Sequence, residues 1–92
     1  GIVRNSEYKK YVESNTFNFQ SGDVILLHTD GITEAMDANR AQFGTEGLKT
    51  SLLRHAHKEP SEIKDGIIED LYEYLNGNKL EDDYTLVILK FK

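Results

Sequence analysis

Val24-Ile25-Leu26-Leu27-His28-Thr29-Asp30-Gly31-Ile32-Thr33-Glu34 is the stretch whose reading decides the fold. Its aliphatic run stops abruptly at a Thr-Asp-Gly turn. A short unbroken apolar run bounded by turn residues predicts a strand buried on both faces. Full burial of each such side chain contributes roughly 1.5–3 kcal/mol, so the run sets where the backbone crosses the core and where Asp30 emerges. A carboxylate at a strand end, beside a glycine that lets the chain turn, is well placed to meet a cation. A second acidic pair, Asp82-Asp83, precedes another apolar run, Tyr84 to Leu89.

Upstream, Tyr8 to Glu13 reads as an exposed or edge strand, and Thr16 to Phe19 alternates as a half-buried strand does, so the two predict a hairpin. Ser21-Gly22-Asp23 is a turn into the buried strand. Downstream, Ile32 to Ala35 predicts a helical turn, followed by a polar loop from Met36 to Gly44. Thr45 is the expected N-cap of a short helix ending near His57, with Leu48, Leu52, Leu53 and Ala56 on its buried face. Pro60 and Ser61 open a longer helix whose stripe is Ile63, Ile67, Leu71 and Leu75, widened by Ile68 and Tyr72. Asn76-Gly77-Asn78 suits a left-handed C-cap, and Tyr84 to Leu89 predicts a central strand. Strands, two helices and a returning strand make an α+β domain, a mainly antiparallel sheet with two helices on one face.

Composition narrows the function. With 92 residues the chain is one domain or part of one, and a net charge of −5 disfavours an unaided nucleic-acid surface. No apolar stretch reaches the ~20 residues of a membrane span, so no direct membrane contact is expected of this segment. The absence of cysteine removes disulfides and thiolate metal sites and fits a cytoplasmic protein. The chain opens on Gly1 and its one methionine is the internal Met36, as expected of an excised segment.

If Asp30 and Asp82 serve one site, the end of the first buried strand must meet the start of the second, and the two must run antiparallel. Two carboxylates about 4 Å apart repel by roughly 4 kcal/mol at an effective dielectric near 20. Such a pair calls for a proton, a basic partner or a cation, and oxygen donors suit magnesium or manganese. The bland reading stands beside this one, because Asp-Gly is a common turn and Asp-Asp often only solubilises a strand edge.

The phrase Ser21 to Ala35 resembles the metal-dependent serine/threonine phosphatases of the PPM class (protein phosphatase 2C-like). The nearest branch is that of stage II sporulation protein E and the stress-response sigma-factor regulators. The similarity continues through Gln42-Phe43-Gly44 and through Asp82-Asp83-Tyr84-Thr85. It implies that residues 1–92 are the C-terminal portion of the catalytic domain, itself an αββα sandwich. The implied metal ligands are Asp30 and Asp82, in a two-metal site for Mn2+ or Mg2+. Asp83, where the wider class often has asparagine, would orient Asp82 or its loop, and Gly31 would shape the turn. The implied reaction is hydrolysis of phosphoserine or phosphothreonine by a metal-activated water, without a phosphoenzyme. The substrate would be a phosphorylated signalling protein, an anti-sigma-factor antagonist in this branch.

The family draws further ligands from motifs that Ile2 to Phe19 does not contain, so the isolated segment is expected to be inactive and to self-associate through exposed apolar faces and strand edges. The alternative is a pseudophosphatase or protein-binding module in a partner-switching pathway. His28 stands where the branch often has tyrosine and is expected to pack on the sheet. Glu34 is either a group that orients the attacking water or a helix-start carboxylate. Thr29 and Thr33 read as turn residues, and His55 and His57 as favourable charge near a helix end. Lys9, Lys10 and Arg40 are candidate substrate contacts, Arg40 foremost because its loop follows Asp30.

Overall fold

In the computed structural model, residues 1–5, 21–80 and 83–91 are described. The expected hairpin over Tyr8 to Phe19 lies outside them. The described elements are β1 (Ile2–Arg4), β2 (Val24–His28), α1 (Asp30–Thr33), α2 (Gly44–His55), α3 (Pro60–Leu75) and β3 (Leu86–Lys90). They make an α+β fold in which a three-stranded antiparallel sheet, ordered β1-β2-β3, carries the helices on one face. β2 is central among the described strands. Val3 faces Leu26 on one side, and Val24 to His28 face Lys90 to Leu86 on the other.

The alternation of the strands divides the sheet into two unlike faces. Val3, Val24, Leu26 and Leu86 point to the helices and join Leu48, Leu52, Ile63, Ile67, Leu71 and Leu75 in one core. Ile2, Leu27, Val87 and Leu89 occupy the opposite face and are exposed. The expectation that both runs are buried on both faces is therefore corrected. Ile25 is buried, but Leu27 is 36% exposed and Leu89 45% exposed. β3 lies at the edge of the described sheet, because an apolar run reports what a face needs and not which element covers it. β1 was not anticipated, being only three residues long. It is held by the Arg4–Asp23 ion pair at 3.0 Å and by the Val24 N–H donating to Asn5 Oδ1 at 2.9 Å.

The helices begin and end close to their sequence signals, with three corrections. α2 starts at Gly44, so its N-cap is Phe43, with no side-chain cap, and Thr45 falls inside the first turn. Its buried line is Leu48, Ser51, Leu52 and His55, while Leu53 is 51% exposed. A helical period places 48, 51, 52 and 55 on one face and rotates 53 away. Tyr72 is likewise exposed, whereas Ile68 packs against the core. α3 opens at Pro60 behind a capping box formed by Glu59 and Glu62, and closes on Asn76 in the left-handed conformation at φ 49°.

Where α2 meets α3, a polar clamp interrupts the apolar contact. The Asp70 carboxylate of α3 accepts hydrogen bonds from Ser51 Oγ, from Arg54 at 3.1 Å and from His55 Nε2 at 3.1 Å, all on α2. Lys58 Nζ lies 3.0 Å from the other ring nitrogen of His55. An ammonium group only donates, so Nδ1 accepts and Nε2 carries the proton given to Asp70. Gly66 makes the contact attainable: a Cβ there would stand 2.6 Å from the His55 ring. His55 is thus a helix–helix clamp and not merely a helix-end charge; His57 stays exposed. Ser51 donates to Asp70 and not to the imidazole, so the trio lacks the base-to-hydroxyl geometry of a nucleophile. Lys90 closes the end of α2, donating to the carbonyls of Ala56 and Lys58 at 3.2 and 2.8 Å.

Replacing Asp70 by alanine leaves the buried Ser51 and His55 without their acceptor. Urea unfolding of the chain is expected to show a loss of about 1–3 kcal/mol, while Arg54→Ala, at the exposed rim of the clamp, is expected to cost under about 1 kcal/mol.

Candidate functional site

β2 delivers the chain to the site and α1 turns it away. Past His28, Thr29 is extended at φ −98° and ψ 167°, and Asp30 opens the four-residue α1. Ile32, 1% exposed, plugs this turn into the core, and the N–H groups of Glu34 and Ala35 donate to the carbonyls of Asp30 and Ile32 at 2.9 and 3.2 Å. The turn is also tied to the approach of β3. Thr29 N–H donates to the Thr85 carbonyl at 3.2 Å, and Thr85 N–H donates to Thr29 Oγ1 at 2.9 Å. Thr29 therefore works as a junction between two strand ends, in keeping with its reading as a turn residue.

Gly31 is where the two loops touch. A Cβ at this position would run into the Asp83 carbonyl oxygen and stand 3.4 Å from Tyr84 Cβ. The geometry required of a shared site is thus met at the level of backbone: the end of β2 and the start of β3 are antiparallel neighbours. Asp30 and Asp83 are both exposed, and no described residue pairs with the Asp30 carboxylate. Asp82 lies outside the described residues. Among those described, no three His, Cys, Asp or Glu side chains converge as a metal cage would need. The donors present are carboxylate oxygens near an open turn, a chemistry that fits a hard divalent cation. His28 is half-buried, with Nδ1 3.2 Å from the Thr29 carbonyl, and Gly1 lies against its ring.

Beyond α1 the chain runs through the loop 36–43, pinned at both ends. Met36 bridges Gln42, and Phe43 N–H donates to the Ala35 carbonyl at 2.7 Å. Asp37 Oδ1 accepts from the N–H groups of Asn39 and Ala41 at 2.8 and 2.9 Å. Tyr74 of α3 anchors the loop from outside. Its hydroxyl donates to the carbonyls of Ala41 and Gln42 at 2.9 and 3.1 Å, and its ring meets Phe43 edge-on at 5.3 Å. Desolvation, and after it the nearby Asp37 carboxylate, pushes the Tyr74 hydroxyl above the ordinary tyrosine range, so it remains a donor at neutral pH.

At the tip of this loop Arg40 is left-handed at φ 65°. For a residue with a Cβ that conformation costs about 1–2 kcal/mol. Gly31, Glu34, Arg40 and Lys79 help to line a groove of about 630 Å³ beside the Asp30 turn. Sequence reading found Arg40 from its nearness to Asp30 along the chain. It missed Lys79, which reaches the same groove only because α3 ends beside the loop. Lys9 and Lys10 fall outside the described residues.

Across residues 1–92 the sequence matches the family model for stage II sporulation protein E (SpoIIE). The chain belongs to the SpoIIE family. It is 28% identical over 92 residues to the phosphoserine phosphatase RsbU of Bacillus subtilis (strain 168), an alignment covering 100% of this chain and 26% of RsbU. The SpoIIE-family segment thus spans about a quarter of that relative's length. Its fold is similar to that of the SiaA-PP2C domain of Pseudomonas aeruginosa, with a TM-score of 0.77. That likeness covers 83% of this chain and 31% of the other at 23% identity, and so concerns the fold alone. No helix among the described residues is long and apolar enough to cross a membrane.

Gly31→Ala forces the Asp30 turn away from Asp83. It is expected to destabilise the chain by about 1–3 kcal/mol in urea unfolding, and to speed amide exchange at Thr85, whose N–H is held by Thr29. Unchanged exchange at Thr85 would show that the two loops are not mechanically joined.

Proposed function

We propose that the chain is the C-terminal portion of a metal-dependent phosphatase domain. The complete domain would hydrolyse phosphoserine or phosphothreonine on a signalling protein, of which an anti-sigma-factor antagonist is the instance the resemblance implies. The observation that carries this reading is the antiparallel pairing of β2 with β3, which sets the Asp30 turn against the backbone of Asp83. Membership of the SpoIIE family, and a relative named as a phosphoserine phosphatase, support it independently of the geometry.

In this reading Asp30 and Asp82 are ligands of a two-metal site for Mn2+ or Mg2+. Bound there, the ions supply Lewis-acid charge for the phosphoryl oxygens and lower the pKa of the attacking water. The chain's own contribution is placement. Gly31 lets the two loops close, Asp83 orients its neighbour, and Glu34, one helical turn after Asp30, orients the water. Water adds to phosphorus, the bond to the seryl oxygen breaks, and serine and inorganic phosphate leave. The same reading places the domain in the cytoplasm, with neither nucleic acid nor membrane as a direct partner of this segment.

The exposed apolar face formed by Ile2, Leu27, Val87 and Leu89 supports the idea that a second sheet covers it in the complete αββα sandwich. The isolated 92-residue chain would then lack both that cover and the remaining ligands. It is expected to be inactive and to associate with itself in sedimentation; a single monomer boundary at high concentration would count against the uncovered face. In the complete domain, Asp30→Ala is expected to lower kcat/KM for a phosphoprotein, assayed with manganese, by about a hundredfold or more. Unchanged turnover in that variant would remove Asp30 from the ligand set. A complete domain that binds the phosphoprotein and never turns it over would instead favour a pseudophosphatase that serves as a binding module.

A further inference from the structure

The groove beside Asp30 is lined by two cations, Arg40 and Lys79. Arg40 comes from the loop 36–43 and Lys79 from the segment after α3, so unconnected parts of the chain bring positive charge to one groove. Both residues are exposed, and neither makes an ion pair or a side-chain hydrogen bond with any described residue. Of the acids on the same groove, Asp37 is occupied in holding its own turn through the N–H groups of Asn39 and Ala41. Glu34 is the C-cap residue of α1, its N–H held by the carbonyls of Asp30 and Ile32.

The backbone at Arg40 sharpens the point. A left-handed φ of 65° favours glycine or asparagine, and an exposed arginine there gains no packing to offset the strain. Strain kept at an exposed position beside a candidate site points to a role outside the fold. The chain as a whole has a net charge of −5 and repels acidic partners, so a local cationic wall changes which anions approach.

We infer that Arg40 and Lys79 form a specificity wall that selects phosphopeptide segments bearing acidic residues beside the phosphorylated serine. The phosphate faces the Asp30 turn, and the flanking carboxylates lie against the two cations in the groove. This rests on the phosphatase reading and adds to it the sequence preference of the substrate. Both residues are positioning residues, so they act on binding and not on the reacting bond.

The test uses the complete phosphatase domain with manganese and two synthetic phosphoserine peptides, identical except for acidic or neutral flanks. The expected result is a KM about fivefold lower for the acidic peptide, the size two exposed charge pairs give, with the gap closing at high salt. In Arg40→Gly/Lys79→Ala the KM for the acidic peptide rises about fivefold, while kcat stays within twofold. Arg40→Gly relieves the left-handed strain, so this half of the variant folds at least as well as the parent. Thermal unfolding of both proteins checks that. Equal KM values for the two peptides in the parent, or a variant that loses kcat on both alike, would overturn the wall. If the parent turns over a phosphoprotein and neither peptide, the wall is overturned; if it turns over none of the three, the phosphatase reading itself fails and the inference goes with it.

Discussion

The pairing of β2 with β3 is the constraint on which the rest of the structure depends. Five residue pairs, from Val24 opposite Lys90 to His28 opposite Leu86, fix the register. A slip of β3 by one residue against β2 would turn Leu86 out of the core and put Val87 in it. The same register decides where the strands end. It brings Thr29 to Thr85, and through them the Asp30 turn to the loop that contains Asp83. Core packing and site geometry are therefore two consequences of one ladder, and damage to either is felt by the other.

The helices hold that ladder from one side only. Their apolar stripes supply the burial, and the Asp70 clamp supplies the register between α2 and α3. A carboxylate shared by Ser51, Arg54 and His55 is directional in a way that leucine contacts are not, so it selects one rotation of α2 against α3. Tyr74 then carries the position of α3 into the loop 36–43, and Lys90 carries the position of β3 into the end of α2. By these links the groove beside Asp30 inherits its shape from the core and not from its own few contacts. The other face of the sheet has no such cover among the described residues, and Leu27, Val87 and Leu89 are left exposed on it.

Much of the architecture was legible along the chain, because strand and helix periods are local properties. The buried strand at Val24, the long helix from Pro60 and its left-handed stop at Asn76 follow from apolar spacing, proline at a helix start and a residue that tolerates positive φ. Asp30 was legible for the same reason: a charged residue after an apolar run has to emerge at the end of the strand. The start of α2 was misjudged, since Thr45 has the chemistry of an N-cap but Phe43 takes the place, seated by its ring against Tyr74.

What the sequence by itself determined is the strand at Val24, the two longer helices and the returning strand, their order, and the two acidic turns that the α+β pattern must bring together. Only the tertiary structure decided which faces are covered, that His55 clamps two helices, that Gly31 lies against Asp83, and that Lys79 joins Arg40. The physical reason is the same in each case. A period of two or of 3.6 residues says which side chains share a face, but the partner of that face comes from another part of the chain. Its identity depends on distances that exist only once the sheet and helices have closed on one another.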